Sequence, residues 1–265
     1  MTYIFSAIII YIFIGLCLFV LQRRILFNTS WHPGSPSGYN LNNIKEINIT
    51  TDDGIDLLSW YYLGDKNLPI LVYFHGNSFH IGDRAHRIKK YVDNNWSVLL
   101  VSWRGFGGNS GKPSEKNLYE DGNAVLSWIS KNTSFQNKQI VIYGESLGSG
   151  VAVELGTKSR FLSIVLEAPF MSIPEVAQKR YKIFPTKYLV KDKFDNYSKI
   201  DKIKSPLLIL SGKKDEIVPH QHSIQLLEKA KVNKKGVFID EAIHNNLYDF
   251  GIEKEVIKFN LELWQ

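Results

Sequence analysis

The sequence predicts an α/β fold built on a doubly wound, mostly parallel sheet. From residue 69 onward, apolar strand-like runs alternate with longer helix-like stretches, which is the pattern of parallel strands joined by right-handed crossover helices. The later runs are almost continuous in Val, Ile and Leu, as expected for strands that are buried on both faces. The length of 265 residues is sufficient for one large α/β domain.

Eight strands and five helices follow from this alternation. Asp52, Asp53 and Gly54 separate the first two apolar runs, which predicts a tight hairpin and an antiparallel start to the sheet. The predicted strands are 44–49, 55–62, 69–74, 97–102, 138–143, 161–167, 205–211 and 236–240. The predicted helices are 82–95, 114–131, 147–157, 219–231 and 246–262.

Ahead of these elements lies a segment that is apolar enough to span a membrane. Residues 3–21 carry no charge, and a helix of that length at about 1.5 Å per residue reaches roughly across the hydrocarbon core. A cleaved signal peptide is the alternative, but the chain has neither a basic start nor a small-residue cleavage site. Arg23 and Arg24 follow the segment and no basic residue precedes it. The positive-inside rule therefore places the rest of the chain in the cytoplasm.

Composition divides the chain into three parts. Residues 1–26 form the predicted transmembrane anchor, and residues 27–45 have the Pro- and Gly-rich composition of a linker. Residues 46–265 form the predicted α/β domain. Within it, residues 168–204, here called the insertion, are far longer than an ordinary connection and are rich in aromatic and basic residues. The insertion is either a lid or a long crossover.

Composition also argues against several classes of ligand. The formal net charge of +6 does not predict nucleic-acid binding, because the basic excess is concentrated in the insertion and no nucleic-acid motif is present. Cys17 is the one cysteine, which excludes an intramolecular disulfide and a Cys-rich zinc site. The glycine-rich residues 104–111 fail the dinucleotide motif, since Ser110 stands where a glycine is needed. No metal or cofactor is predicted.

A serine framed by two glycines follows the fifth predicted strand. Residues 144–148 read Gly-Glu-Ser-Leu-Gly between a strand and a helix, which is the G-x-S-x-G pattern of a nucleophile elbow. The glycines permit a turn so tight that the Ser146 hydroxyl projects at the carboxyl end of the sheet. Such turns also occur for packing alone. The pattern therefore predicts a nucleophile only if suitable partners follow it.

An acid and a histidine follow the serine in the order that this architecture requires. Asp215 comes directly after the seventh predicted strand and His244 after the eighth, so both belong to loops at the same sheet edge as Ser146. Serine becomes a nucleophile when a base takes its proton and an acid orients that base. The sequence therefore predicts Ser146 as nucleophile, His244 as base and Asp215 as the orienting acid. Glu216 is the neighbouring competitor of Asp215.

The oxyanion that forms on a substrate carbonyl needs two backbone donors. The amide of Leu147, directly after the nucleophile, is the first predicted donor, and Asn77 in the loop after the third strand is the second. Ser78 is a possible replacement and a predicted substrate contact, whereas His75 is expected to be structural. Further substrate-contacting residues are expected in the insertion: Phe170, Tyr181 and Phe184.

These motifs resemble those of the α/β-hydrolase superfamily. The most similar subgroup is membrane-anchored, with a strand followed by His-Gly-Asn, an Arg-Gly-aromatic-Gly segment and the G-x-S-x-G elbow. Trp103 departs from the usual Tyr, and the histidine loop lacks a common preceding glycine. The resemblance covers residues 46–265 and implies a Ser-Asp-His esterase-type mechanism. It is carried by residues 69–82, 101–111, 143–150, 211–219 and 244–247.

The predicted function is therefore that of a membrane-anchored serine hydrolase acting through an acyl-enzyme. By resemblance, the substrate is an acyl ester or acyl thioester of lipid, lysophospholipid or S-acyl protein type. A serine peptidase or amidase of the same fold would share the triad, and a non-catalytic membrane-anchored binding protein would have no need of it. The lysines of the insertion either face anionic headgroups or form a solvated surface.

Overall fold

The computed structural model describes residues 2–29 and 31–264. Met1, Ser30 and Gln265, which include the outer limits of the predicted anchor and domain, lie outside the described residues. Helix α1, Thr2–Leu26, opens the chain. Its stretch Tyr3–Leu26 has a mean hydropathy of 2.9 and is the one described helix that is long and apolar enough to cross a membrane.

The described strands form one large sheet and one small sheet. Their bounds are β1 Asn28–Thr29, β2 Lys45–Thr50, β3 Asp56–Tyr62, β4 Ile70–Phe74, β5 Ser78–Phe79, β6 Ser97–Val101, β7 Ile140–Glu145, β8 Ser163–Glu167, β9 Leu207–Gly212 and β10 Lys234–Ile239. The large sheet has the order β10-β9-β8-β7-β4-β6-β3-β2. Strand β3 pairs antiparallel with β2 and β6, and the other pairs in this sheet are parallel.

Helices cover both faces of the large sheet. Their bounds are α2 Ala85–Val92, α3 Glu115–Asn132, α4 Leu147–Lys158, α5 Ile173–Arg180, α6 Thr186–Leu189, α7 His220–Lys229 and α8 Ile252–Trp264. Helices α2 and α8 pack on one face, and α3, α4 and α7 pack on the other. Strand side chains alternate accordingly: Val72 and Phe74 enter one core, while Leu71 and Tyr73 enter the other. The predicted α/β fold with eight strands is confirmed.

The sequence did not predict the small sheet or the helices α5 and α6. Strands β1 and β5 contribute only two residues each, which is too short for a periodic signal. Helix α5 begins at Ser172, whose hydroxyl accepts a hydrogen bond from the Glu175 amide, and Pro174 lies within its first turn. These cues mark a helix start inside the insertion.

The segment that follows α1 packs closely against the α/β domain. Phe27, Leu41 and Ile44 are buried, and the short strand β1 pairs in parallel with β5. Within the predicted linker, residues 27–45, Pro36–Tyr39 form a short 3-10 helix. Leu26 at the end of α1 and the first strand residue are therefore separated by Phe27 alone.

Candidate active site

Ser146 lies at a sharp turn between β7 and α4. Its φ of 46° and ψ of −109° are unfavourable for a residue with a side chain, and its amide donates to the Glu167 carbonyl oxygen at 2.8 Å. The flanking glycines are sterically required. A Cβ on Gly144 would lie 2.6 Å from the Gly148 oxygen, and one on Gly148 would lie 2.1 Å from the Phe74 oxygen. The predicted nucleophile-elbow geometry is therefore present.

The two side chains predicted to follow the serine meet it at the sheet edge. His244 Nε2 lies 3.1 Å from Ser146 Oγ, and His244 Nδ1 lies 2.6 Å from Asp215 Oδ2. The amides of Ile217 and Val218 donate to Asp215 Oδ1 at 2.9 and 2.8 Å. This carboxylate can therefore accept a hydrogen bond from the Nδ1–H group, which leaves the lone pair of Nε2 facing the serine hydroxyl.

The competing acid does not face this histidine. Glu216 is exposed, and its backbone carbonyl accepts a hydrogen bond from the Lys179 ammonium at 2.9 Å. Asp215, in contrast, is buried, with Oδ1 held by the amides of Ile217 and Val218 and Oδ2 facing His244. The local turn after β9 thus orients one of two adjacent acids towards His244.

The predicted oxyanion donors, Leu147 and Asn77, border the same cavity as Ser146. Leu147 is the first residue of α4, where the helix dipole favours negative charge. Asn77 follows β4, and its side chain is committed elsewhere: Nδ2 donates to the Leu26 oxygen, and Oδ1 accepts from the Ser78 hydroxyl, both at 3.0 Å. Only the backbone amide of Asn77 is available for a substrate oxygen. Neither this amide nor that of Leu147 donates to another described residue.

His75 supports the loop after β4, which carries the predicted oxyanion donor Asn77, and is not placed to act as a base. Its side chain is fully buried against Trp103 and Phe106, and its Nδ1 donates to the Gly76 oxygen at 2.7 Å. Burial, reinforced by the nearby Arg84, lowers the pKa of His75 to about 3, so the imidazole is neutral. Trp103 Nε1 donates to the His75 oxygen at 3.1 Å, which gives the unusual tryptophan a role in holding the loop.

A buried ionic network lies beneath the serine, and sequence reasoning missed it. Arg84 donates to both oxygens of Glu145 at 2.7 and 3.0 Å, and Arg87 donates to Glu167 at 3.0 Å. Burial opposes the ionisation of Glu145, but the two arginines hold its pKa below the usual range. Burial raises the pKa of Glu167, with Arg87 opposing that effect. Both glutamates end neighbouring parallel strands, a signal that could have predicted their proximity.

Two cavities of different polarity meet at the serine. The first, of about 250 Å³, is mainly apolar, and Ser146 and Leu147 border it. The insertion contributes three aromatic walls that the sequence predicted: Phe170, Tyr181 and Phe184. The second, of about 350 Å³, is lined largely by polar and charged residues, among them Ser146, His244 and the predicted contact Ser78. A substrate with an apolar part and a polar part could therefore be held across the serine.

Sequence reasoning also missed one entire wall of the apolar cavity, because it assigned α1 wholly to the membrane. The wall consists of Leu18, Phe19, Gln22, Ile25 and Leu26. Gln22 was the available signal, since an amide within an apolar helix needs polar partners. Within residues 2–29 and 31–264, no group of three or more His, Cys, Asp or Glu side chains is arranged to hold a metal ion.

Comparison with known proteins agrees with this architecture. A family model described as serine aminopeptidase, S33, matches residues 65–199. An uncharacterized protein of Mycobacterium tuberculosis is 32% identical over 247 residues, which cover 91% of this chain and 87% of that protein. The alpha/beta hydrolase domain-containing protein 17B of Homo sapiens is 31% identical over 191 residues, covering 71% of this chain and 64% of that protein.

Solved structures show the same fold. A Pyrococcus furiosus esterase superposes with a TM-score of 0.74 at 19% identity, covering 90% of this chain and all of that one. At this level of identity the likeness shows the fold alone. Since the family model spans half of the sequence, the chain belongs to the α/β-hydrolase family that this model describes.

Proposed function

We propose that this protein is a membrane-anchored serine hydrolase that cleaves acyl esters or acyl thioesters through an acyl-enzyme. The observation that carries the proposal is the hydrogen-bonded chain from Ser146 through His244 to Asp215, with distances of 3.1 and 2.6 Å. Nothing in the packing of a purely structural turn calls for a histidine and a buried acid in this order. The proposed anchor is residues 1–26, and the proposed catalytic domain is residues 46–265.

The geometry supports a two-step mechanism. His244 Nε2 accepts the proton of Ser146 as its Oγ bonds to the substrate carbonyl carbon, and Asp215 stabilises the resulting imidazolium. The Leu147 and Asn77 amides hold the negative charge on the carbonyl oxygen. When the carbonyl re-forms, the bond to the alcohol or thiol breaks and His244 protonates that leaving group. Water, deprotonated by His244, then attacks the acyl-enzyme and releases the carboxylic acid and the free serine.

The two cavities support an amphiphilic substrate. An acyl chain fits the apolar cavity, which ends at the serine, and a polar leaving group fits the cavity that contains His244. Six ionisable side chains line the polar cavity: Asp83, Arg84, His86, Arg87, Glu145 and His244. Because these charges are of both signs and largely paired, the leaving group is polar without a required net charge. Lipid-type, lysophospholipid and S-acyl substrates all meet this description.

Amide hydrolysis is the second candidate, favoured by the description of the matching family model as a serine aminopeptidase. The same triad can cleave amides. An aminopeptidase must also bind a free amino terminus, for which a carboxylate without a partner is the usual recognition group. Glu145, the buried carboxylate beside the serine, is already paired with Arg84. This pairing favours acyl esters and thioesters over peptides. A non-catalytic binding protein remains the least supported alternative.

The membrane placement rests on α1 and its flanking charges. Tyr3–Leu26 is long enough to span the hydrocarbon core, and Arg23 and Arg24 at its C-terminal end support a catalytic domain on the cytoplasmic side. A protease added outside intact cells should leave the catalytic domain intact, and permeabilised cells should lose that protection. Digestion in intact cells would reverse the proposed topology.

The activity is tested with the full-length protein in detergent micelles. The panel consists of a p-nitrophenyl ester, a lysophospholipid, an S-acyl peptide and an aminoacyl amide. Wild type and the exposed control Ser134→Ala should hydrolyse an ester or thioester and bind a fluorophosphonate probe covalently. Ser146→Ala should lose both properties while melting at the same temperature. Undiminished turnover by Ser146→Ala would refute the assignment, and turnover of the amide alone would favour the peptidase.

A further inference from the structure

Helix α1 presents one face to the apolar cavity. The residues on this face recur three and four positions apart, which places them one above another on the helix surface: Leu18, Phe19, Gln22, Ile25 and Leu26. Val20, on a different face, has 67% of its surface exposed. The last two turns of α1 therefore have a cavity side and an outer side, and the cavity side leads to Ser146.

The insertion lies along the same helix over a considerable length. Tyr11 donates a hydrogen bond to the Ile183 oxygen at 2.9 Å, and its ring stacks on Phe184 with centroids 4.8 Å apart. At the other end of the contact, Gln22 accepts a hydrogen bond from the Lys191 amide at 2.7 Å. From Tyr11 to Gln22 the helix rises about 16 Å at about 1.5 Å per residue.

The contact between the insertion and α1 extends well into the apolar part of the helix. Lys191 Nζ lies 4.1 Å from the centroid of the Phe19 ring, so a cation marks the level of Phe19 on the helix. Ile183 meets the helix at Tyr11, about 12 Å closer to its N-terminus. At this level Ile183 is 72% exposed, and on the same segment Tyr188 is 81% exposed. These exposed apolar side chains beside the apolar part of α1 suit lipid, and the exposed Lys182 and Lys187 next to them have stems long enough to extend their ammonium groups towards the headgroups.

We infer that the apolar cavity opens into the hydrocarbon layer around α1 and admits the acyl chain of a membrane-resident substrate from the side. This inference rests on the proposed acyl-hydrolase function. Helix α1 is then both the anchor and one wall of the acyl site, while the exposed side chains of Ile183 and Tyr188 are immersed in the adjoining leaflet. The cavity of about 250 Å³ is smaller than the ~300–1,000 Å³ of pockets for drug-sized ligands, so it suits one chain.

The acyl wall is tested by a bulky substitution on the cavity side of α1, in the full-length protein. Leu18→Trp should lower kcat/KM for p-nitrophenyl palmitate at least ~10-fold while p-nitrophenyl butyrate changes less than about twofold, because only the long chain reaches Leu18. The matched control Val20→Trp, on the outer side, should change neither ester. Leu18→Ala, which enlarges the cavity, should leave the palmitate reaction at least as fast relative to butyrate.

Two results would refute the proposal that α1 forms a wall of the acyl site. One is an unchanged palmitate-to-butyrate ratio in Leu18→Trp, and the other is an equal loss of both esters in Leu18→Trp and Val20→Trp. Failure of the proposed function gives a different result, in which Ser146→Ala continues to hydrolyse both esters. The two ideas therefore fail separately.

Immersion is tested without any activity measurement. The chain has one cysteine, Cys17, so a Cys17→Ser background accepts a single nitroxide label at Ile183→Cys or at the control position Leu63→Cys. Leu63 is 48% exposed and follows β3, at the sheet edge opposite the serine. In phosphatidylcholine vesicles, the label at 183 should relax with oxygen and be shielded from a water-soluble nickel complex. Equal nickel accessibility at 183 and 63 would exclude immersion.

Discussion

Arg23 and Asp192 form a two-pronged ion pair that fastens the end of α1 to the insertion. Arg23 Nε and Nη2 donate to the two carboxylate oxygens at 2.7 and 3.0 Å, and Asp192 also accepts from the Glu115 amide at the start of α3, at 2.9 Å. Asp192 is buried although half of the Arg23 side chain is exposed. The Asp192 carboxylate thus links the end of α1, the insertion and the start of α3.

Asp192→Ala should loosen the insertion from α1. The loss of hydrogen bonds to a buried carboxylate is expected to cost about 2 kcal/mol of stability, and trypsin should cleave the insertion several-fold faster. Limited proteolysis followed by mass spectrometry measures the effect. Asp240→Ala, which removes an exposed ion pair with Lys213, is the control and should leave cleavage unchanged. Equal cleavage rates for Asp192→Ala and wild type would show that the pair does not hold the insertion.

Asp215→Asn should remove most of the turnover while leaving the fold intact. The amides of Ile217 and Val218 would hold the carboxamide oxygen, so its NH₂ group would face His244. The imidazole would then carry its proton on Nε2 and could not accept the proton of Ser146. A loss of roughly 10⁴-fold in kcat is expected, as in other serine triads. Steady-state kinetics measure it, Glu216→Gln is the neighbouring control, and a kcat near that of wild type would contradict the assigned role of Asp215.

Arg84→Met should destabilise the protein strongly. It would leave the Glu145 carboxylate buried with its main partner missing, a situation that costs about 3–5 kcal/mol. Thermal and denaturant melting in one detergent measure the loss. The double variant Arg84→Met/Glu145→Gln should recover part of the stability, because the uncompensated charge is gone. A loss below about 1 kcal/mol in the single variant would mean that Arg87 suffices to neutralise Glu145.

Asp53 gives the stability an acid-dependent component. Hydrogen bonds from Arg104, and then from the Thr51 hydroxyl, lower the pKa of Asp53 from 3.8 to about 2. Because the pKa of Asp53 is lower in the folded state, ionised Asp53 stabilises the fold above pH 3.8. This contribution is lost as the carboxylate is protonated when the pH falls towards 2. Half of the side chain is exposed, so the contribution is below about 1 kcal/mol. Asp53→Asn should melt below wild type near neutral pH, and the gap should close by about pH 2; a constant gap would contradict this account.

Local patterns predicted the sheet and the positions of the reactive side chains well. The eight strands and the hairpin after β2 follow from apolar runs and turn residues, which are features of neighbouring residues. Ser146, Asp215 and His244 could be placed at one edge because parallel strands all end there. The structure brings these three together as that reasoning predicted, and their catalytic roles remain predictions.

Contacts between distant surfaces were not predictable in the same way. Apart from Gln22, helix α1 is apolar on every side before Arg23, so its apolar residues do not show which face packs on the insertion. The pairing of β1 with β5 involves two residues from each strand and leaves no periodic pattern. Arg84 and Arg87 read as ordinary helix charges until the fold brings Glu145 and Glu167 beneath them.

The pairing of β1 with β5 determines how far the proposed enzyme can reach. Asn28 donates to the Asn77 oxygen at 3.0 Å, and the Asn77 side chain donates to the Leu26 oxygen, so the loop with the predicted oxyanion donor is bonded directly to the end of α1. A domain joined to its membrane helix by a flexible linker could reach substrates over a wide range of distances from the bilayer. When α1 spans the bilayer, this domain has no such linker. Ser146 is then held at a constant distance from the bilayer surface. The proposed enzyme can therefore cleave only ester or thioester bonds that lie at that distance from the bilayer.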